Sequence, residues 1–565
     1  MIQTKNQDNM TDVLIVGAGP TGLTLAADLL RLGVQFRILE AKTEPEKFSK
    51  ACNLWPRTQE VFAAIGVLDR LLAESLPIRK ATLYAYGTLM GTISIDNHPS
   101  PYGTPVLIGQ NQIERILSDY LVQSGQPIER GVKVVNLHQK VDYVEATVER
   151  DGTCEIVRCR FLVGCDGNRS KVRDLIGLSI QPEHIQKRFI RQMDARVRWS
   201  RPVYPDQIWF FLFNTGYLGV LPLPGGYHRF WIIEDEEGVP ERHPTLEEMQ
   251  AAIQRVTGDA QVELHDPIWL SHGRLHYGIG SALQKDRVFL AGDAGHIPLP
   301  ISGKGMNTGM QDAFNLGWKL AATLREQVNP IVLDSYSVER HRVRKDLYNT
   351  QVTGFRWLTK PSTIQQHVVS QLGSAWINCG IGEYLIRRRL AQLDIAYPNS
   401  LLSKDNLGNK VVRAGDRAPD ARVVVVPDLH TITLFKLIYN DLNWTLLLFD
   451  GAEGKKTLEQ LRTIATAFVK EFVTIHVWLV IAAPDVLKDI TDSPMLLDFD
   501  RFAHKAFDLS KPSLVLIRPD GHVAFCSSVN NYETLHSYAR CVFKVQHNSA
   551  NKVLEGACES LILTE

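Results

Sequence analysis

The chain lacks the features that mark several broad classes of protein. Its eight cysteines form no CxxC pair and no metal-like cluster, which excludes dithiol redox chemistry and leaves most thiols as buried, reduced side chains of a cytoplasmic protein. Charge of one sign is missing: 62 Lys and Arg balance 62 Asp and Glu. Neither a nucleic-acid partner nor a polybasic membrane patch is expected. Long apolar runs are missing too. Val13 to Val16 and Val477 to Ala483 fall far short of the ~20 residues of a membrane span. Met1 to Thr11 is polar and gives no signal-peptide core. Internal repeats and low-complexity tracts are absent, and no metal site is expected.

What is present begins with length. At about 150 residues per domain, 565 residues predict three or four domains. Residues 12–40 read strand, glycine turn, helix, strand: Val13 to Val16 is a buried run, Leu23, Ala26, Ala27 and Leu30 follow at helical spacing, and Phe36 to Leu39 is a second strand ending at Glu40. Between 185 and 280 short strands with alternating aromatics suggest an antiparallel sheet inserted into this α/β frame. The polar stretch from Ser400 to Pro419 reads as a linker, and strands alternating with helices beyond it form a small α/β domain. The expected organisation is a discontinuous dinucleotide-binding domain (1–182 and 283–398), a sheet domain for substrate (183–282), a linker (399–415) and a C-terminal domain (416–565).

Two signatures more than 250 residues apart carry chemistry. Gly17, Gly19 and Gly22 form GxGxxG between a strand and a helix. The glycines permit the tight turn, the approach of a pyrophosphate and close helix–strand packing, while the helix start offers N–H groups to phosphate. Glu40, 18 residues after Gly22, is placed to accept hydrogen bonds from a ribose. The second signature is a buried strand, Val288 to Ala291, ending in Gly292-Asp293, with the glycine-rich turn Pro300-Ile301-Ser302-Gly303-Lys304-Gly305-Met306-Asn307 opening a helix. An aspartate there suits ribityl hydroxyls, and the helix start suits the pyrimidine edge of an isoalloxazine. One FAD spanning both signatures accounts for them together. Asp166 and Ser170, after the strand Phe161 to Gly164, fit either cofactor contacts or simple helix caps.

The GxGxxG, Asp166-Gly167 and Gly292-Asp293 segments, in this order, resemble the single-component FAD-dependent aromatic hydroxylases, the group A flavoprotein monooxygenases. Met306 to Leu320 resembles their flavin-side helix almost letter for letter. Arg417-Ala418-Pro419 and Leu516 to Ala524 resemble the thioredoxin-like C-terminal domain of the phenol-hydroxylase branch, here without CxxC. The resemblance implies an α/β fold: a Rossmann-like FAD-binding domain, an inserted antiparallel-sheet substrate domain and a thioredoxin-like domain. It implies non-covalent FAD held by Gly17, Gly19, Gly22, Glu40, Gln110, Asp293 and Asn307, with Gly303, Gly305 and Met306 in the flavin turn and Lys50 and Ala51 near the pyrophosphate. Asp166 and Gly167 would serve both FAD and the nicotinamide donor, and Pro300 would border the space where flavin meets substrate. The implied reaction takes electrons from NADPH or NADH and delivers one atom of O2 to an electron-rich ring through a flavin C4a-hydroperoxide.

Departures from the family are Ala41 and Lys50 in place of arginines, and Leu299, Ser302 and Lys304 in place of the commoner Pro, Gly and Gln. The base that activates a phenol is not named by the sequence; Tyr217, His228 and Arg229 are candidates beside structural roles for each. Trp209, Phe211 and Phe213 share one face of a strand, which fits core packing or an aromatic substrate pocket. A second GxGxxG is absent, so the nicotinamide donor would dock without a Rossmann domain of its own. Hydroxylation of a phenolic or polycyclic, polyketide-type aromatic is the expected activity. Baeyer–Villiger oxygenation, epoxidation, oxidase chemistry and a non-catalytic FAD-binding role are the alternatives. The C-terminal domain is read as structural, compatible with a homodimer.

Overall fold

A computed structural model gives the fold. It describes all residues except 1–9, 49–50, 184–187, 202, 236–241, 276, 301–302, 360–361, 363–365, 367–374, 376, 378–386, 388, 409–410, 452–454, 483–493 and 545–565. The chain divides into two compact units: Met1–Ala27, Gln35–Ala313 and Arg344–Leu393 form the first, and Asp28–Val34, Phe314–Val343 and Asp394–Glu565 the second.

The first unit holds a sheet in which Met10–Val16 lies between Thr153–Gly164 and Phe36–Glu40, all parallel, with Val13 paired to Phe161 on one side and Phe36 on the other. Val13, Leu14 and Ile15 are fully buried, which is why this strand reads as a continuous apolar run rather than an alternation. Val288–Leu290 joins the far edge of Thr153–Gly164, and Ile128–Arg130 extends the other side from Phe36–Glu40. The two chain segments bearing the signatures therefore end at the same carboxyl edge of one sheet.

A second, seven-stranded sheet runs in the order Glu263–Arg274, Arg188–Arg198, Tyr227–Asp235, Gly216–Leu223, Gln207–Phe213, Lys80–Ala85, Thr88–Ser94. Its last two strands come from outside the 183–282 insertion expected from the sequence. Gln207–Phe213 pairs in parallel with Lys80–Ala85 across more than a hundred residues, a long-range pairing that no local pattern announces. The helix Leu246–Thr257 covers one face, entered through a capping box in which Thr245 and Glu248 exchange hydrogen bonds and left through Gly258 in a left-handed conformation.

The second unit is built on an eight-stranded sheet with Ser513–Ile517, Trp444–Phe449 and Ile475–Ile481 at its centre. The stretch expected as a linker is part of it: Lys404–Asn406 pairs with Val523–Ser528, and Leu402 is fully buried. Its polar composition reflects an edge position rather than a tether. The unit also encloses an ionic network. Glu339 accepts from Lys319 at 2.8 Å and from Arg518 at 2.6 Å, and Arg518 Nε donates to Asp520 at 3.0 Å, with all four side chains buried. Burial alone would raise the Glu339 carboxyl, but Arg518 and Lys319 bring it down to about 2. No helix among the described residues is long and apolar enough to cross a membrane.

Candidate active site

A cavity of about 1480 Å³ opens in the first unit, bordered by the carboxyl edge of the parallel sheet at one end and by the seven-stranded sheet at the other. Its dinucleotide end is shaped by backbone. Gly17 has φ +104°, and a Cβ there would lie 2.5 Å from the Cys165 carbonyl oxygen; a Cβ on Gly22 would lie 1.9 Å from the Gly17 carbonyl oxygen. These two glycines let strand, turn and helix close on each other. Gly19 differs. It lines the cavity and has nothing within 4 Å of where its Cβ would be, the opening a pyrophosphate needs beside the N-terminus of the helix Pro20–Arg31. Glu40 Oε2 accepts from Ala18 N at 2.8 Å and Oε1 from Lys42 N at 3.0 Å, which fixes its carboxylate at the cavity wall. Gln110 N donates to Ala51 O at 2.9 Å, so both expected residues stand together on that wall. Lys50 lies outside the described residues.

At the other signature, Asp293 is exposed and lines the cavity with Pro300, Gly303, Gly305 and Met306. The turn needs its glycine: Gly303 has φ +61°, and a Cβ would meet Asn53 Oδ1 at 2.0 Å. The helix Gly305–Leu324 starts at this wall, so its positive end borders the cavity. Asp166 and Gly167 line it as well. Asp166 also acts as a local cap, since its carboxylate accepts from Ser170 Oγ at 2.5 Å and Val172 N at 3.1 Å while Ser170 accepts from Arg173 N. The glycine cradle, the open Gly19 and the two carboxylates fit FAD.

Asn307 and Gly22 do not line the cavity. The Asn307 side chain is fully buried: Oδ1 accepts from Trp55 N at 3.0 Å, and Nδ2 donates to Asn53 O and Gly303 O at 3.0 and 2.9 Å. It locks the glycine-rich turn to the segment 53–55. Asp312, which the sequence reading missed, has a parallel role. It is fully buried, accepts from Gly292 N at 3.0 Å and is held by Arg344 at 2.9 Å, so it sets the turn that presents Asp293.

The sheet end is apolar, and its lining corrects the expectation for Trp209, Phe211 and Phe213. Trp209 and Phe211 are buried on the opposite face, against Met249, Ala252 and Ile253 of the covering helix, and Phe213 packs against the same cluster. The neighbours Ile208, Phe210 and Leu212 face the cavity, with Leu221 and Trp231. One residue of register separates the two sets because successive side chains of a strand point to opposite faces. His228 also falls on the helix side of the sheet: it does not line the cavity, its ring lies 6.5 Å from Phe230, and burial pulls its pKa down to about 4. Tyr217 does line the cavity, where burial pushes its phenol upward and keeps it protonated. Arg229 lines it too. Its Nε and NH2 donate to the two oxygens of Asp194, both at 2.7 Å, and its guanidinium lies 4.8 Å from the Trp269 ring centroid. Burial would lower its pKa, but Cys52 and Asp194 more than offset that and keep it cationic.

The comparisons agree with this geometry. Residues 10–351 match the model of the FAD binding domain family. The chain is 29% identical over 531 residues to pentachlorophenol 4-monooxygenase of Sphingobium chlorophenolicum, covering 92% of this chain and 95% of that one. It is 36% identical over 347 residues to rifampicin monooxygenase of Rhodococcus hoagii, covering 60% and 69%. The solved structure of the OxyS anhydrotetracycline hydroxylase from Streptomyces rimosus superposes with a TM-score of 0.70 at 25% identity, over 94% of this chain and 99% of that one. With a glycine cradle, two carboxylates and an apolar chamber meeting in one cavity, the chain belongs to the FAD-dependent aromatic monooxygenases of the FAD binding domain family.

Proposed function

We propose that this enzyme hydroxylates a phenolic or polycyclic aromatic substrate in the cytoplasm, drawing electrons from NADPH or NADH and oxygen from O2. The observation that carries the reading is the single cavity that joins the dinucleotide end to an apolar chamber. Its volume of about 1480 Å³ exceeds the roughly 300–1,000 Å³ of ordinary small-ligand sites, which leaves room for a cofactor and a substrate together. The names of the relatives, which describe monooxygenases of pentachlorophenol and rifampicin and a hydroxylase of anhydrotetracycline, support the same class of substrate.

Bound FAD supplies the redox chemistry that splits dioxygen between the ring and water. The chain does the rest. Ile208, Phe210, Leu212, Leu221 and Trp231 give a planar ring an apolar wall and keep water from it. Arg229, cationic and anchored by Asp194, is placed to stabilise negative charge on a ring oxygen. Arginine has no acceptor and stays protonated, so it polarises a phenol rather than serving as its base. The N-terminus of the helix Gly305–Leu324 favours negative charge on the pyrimidine edge of a bound isoalloxazine.

The test is to purify the protein with FAD, screen phenols and polycyclic quinones for faster NAD(P)H oxidation, and weigh the product. A gain of one oxygen on an intact ring is expected. Protein that takes up no FAD, or a product with an opened or expanded ring, overturns the reading.

A further inference from the structure

The cationic side chains lining the cavity fall into two groups. Arg229 is held by Asp194, Lys42 by Glu46, Lys304 donates to the Arg389 carbonyl, and the Arg274 guanidinium lies 5.6 Å from the Phe189 ring centroid. Arg130, Lys133, Arg169 and Lys171 also line the cavity, all at its dinucleotide end. Their side chains pair with no carboxylate and make no hydrogen bond among the described residues.

The fold brings these four together. Arg130 closes the strand Ile128–Arg130, in register with Glu40 on the neighbouring strand. Gly131 N then donates to Lys42 O at 3.2 Å, which places this corner beside the loop after Glu40. The chain runs straight into Val132–Gln139, where Lys133 stands exposed between buried Val132 and Val134. The short helix Lys171–Leu175 packs on that strand, and Arg169 and Lys171 flank its cap, Ser170. The acids at this end are Glu40, the last residue of the strand Phe36–Glu40, Glu44 and Glu46 in the loop after it, Glu114 of the helix Gln110–Gln123, and Asp166 ahead of Arg169. A dianion entering this end is drawn to the four cations.

FAD has its own provisions here. Its pyrophosphate has Gly19 and the helix start, and its ribose has Glu40, so four unpaired cations are surplus to it. Leaving them unpaired costs little while they are half in water, and it keeps their charge available to a ligand that comes and goes. We propose that Arg130, Lys133, Arg169 and Lys171 form the docking site for the 2′-phosphate of the reduced nicotinamide dinucleotide, and so select NADPH over NADH. The assignment rests on the reading that a nicotinamide dinucleotide is the reductant.

The experiment titrates the FAD-loaded enzyme with adenosine 2′,5′-bisphosphate, the half of NADPH that carries the 2′-phosphate, by calorimetry. Binding that weakens steeply with salt is expected. The double variants Arg130→Ala/Lys133→Ala and Arg169→Ala/Lys171→Ala should each weaken it about tenfold, in the range set by losing charge-assisted hydrogen bonds. kcat/KM for NADPH should fall by a similar factor while that for NADH changes by no more than about twofold. The FAD dissociation constant should not move. Unchanged binding in the variants, an equal loss for NADH and NADPH, or weakened FAD binding each overturns the assignment; the last would give these cations to FAD. Because the bisphosphate titration needs no turnover, it reads the docking site even if the product analysis defeats the hydroxylation reading.

Discussion

The two faces of the seven-stranded sheet are built from the same stretch of chain and do opposite work. On one face, Trp209, Phe211, Leu218, Val220 and Phe230 are sealed against the helix Leu246–Thr257. On the other, Ile208, Phe210, Leu212, Arg229 and Trp231 border an open cavity. Two buried basic residues at adjacent positions fall one on each face. His228 on the sealed face is neutral and has no hydrogen-bond partner for either ring nitrogen. Arg229 on the open face is charged and doubly bonded to Asp194. The difference shows what a buried cation requires: a partner that restores the hydration it has lost. A histidine without one gives up its proton instead.

The comparison can be broken most directly at Arg229. Replacing it with Ala leaves Asp194 buried without its partner, and a loss of about 3–5 kcal/mol in urea unfolding is expected. The double variant Arg229→Met/Asp194→Leu should recover most of it; equal losses in single and double variants would show that the pair is not an ionic lock. Next come the two phenylalanines. Phe211→Ala empties a packed core and should cost about 3–5 kcal/mol. Phe210→Ala already faces open space, so its stability loss should be clearly smaller, and its main effect should be a raised KM for the aromatic substrate. A reversed order would place the cavity on the other face.

The third test is pH. The folded His228 pKa of about 4 lies below the ordinary 6.5, so the folded state binds fewer protons between those values. The stability is complete above pH 6.5 and is lost as pH falls toward 4. In full this is about 3 kcal/mol for a side chain only 8% exposed. His228→Phe should flatten that part of the stability–pH curve, and an unchanged slope would remove His228 as its source. The smallest effect is expected at Gly219, which pairs with Trp231 across two strands. A Cβ there would lie 2.1 Å from the Trp231 ring, so Gly219→Ala should push the indole into the cavity, cost about 1–2 kcal/mol and change the substrate range. Unaltered Trp fluorescence and KM would argue against it.

Backbone-driven features were legible in the sequence. Gly17, Gly19, Gly22 and Gly303 sit where a Cβ would collide or where space must stay open, and Glu40 and Asp293 stand at strand ends that only such turns create. Side-chain destinations were not. Gln207–Phe213 reads Gln-Ile-Trp-Phe-Phe-Leu-Phe, apolar on both faces, so periodicity had no polar side from which to tell core from cavity. The side-chain partners of Asn307 include Asn53 and Trp55, which lie 254 and 252 residues away, and no local pattern announces them. Asp312 gave no signal, since an acid within a helix is ordinary until the fold places Gly292 and Arg344 around it.

The sequence by itself determined the nucleotide cradle, because few residue types tolerate the conformations and contacts of a strand–turn–helix closing on a phosphate. The tertiary structure alone decided which aromatic residues border the cavity and which hold the sheet to its helix. That choice depends on what packs against each face, and those partners are brought in by pairings between segments remote in the chain, such as Lys80–Ala85 beside Gln207–Phe213.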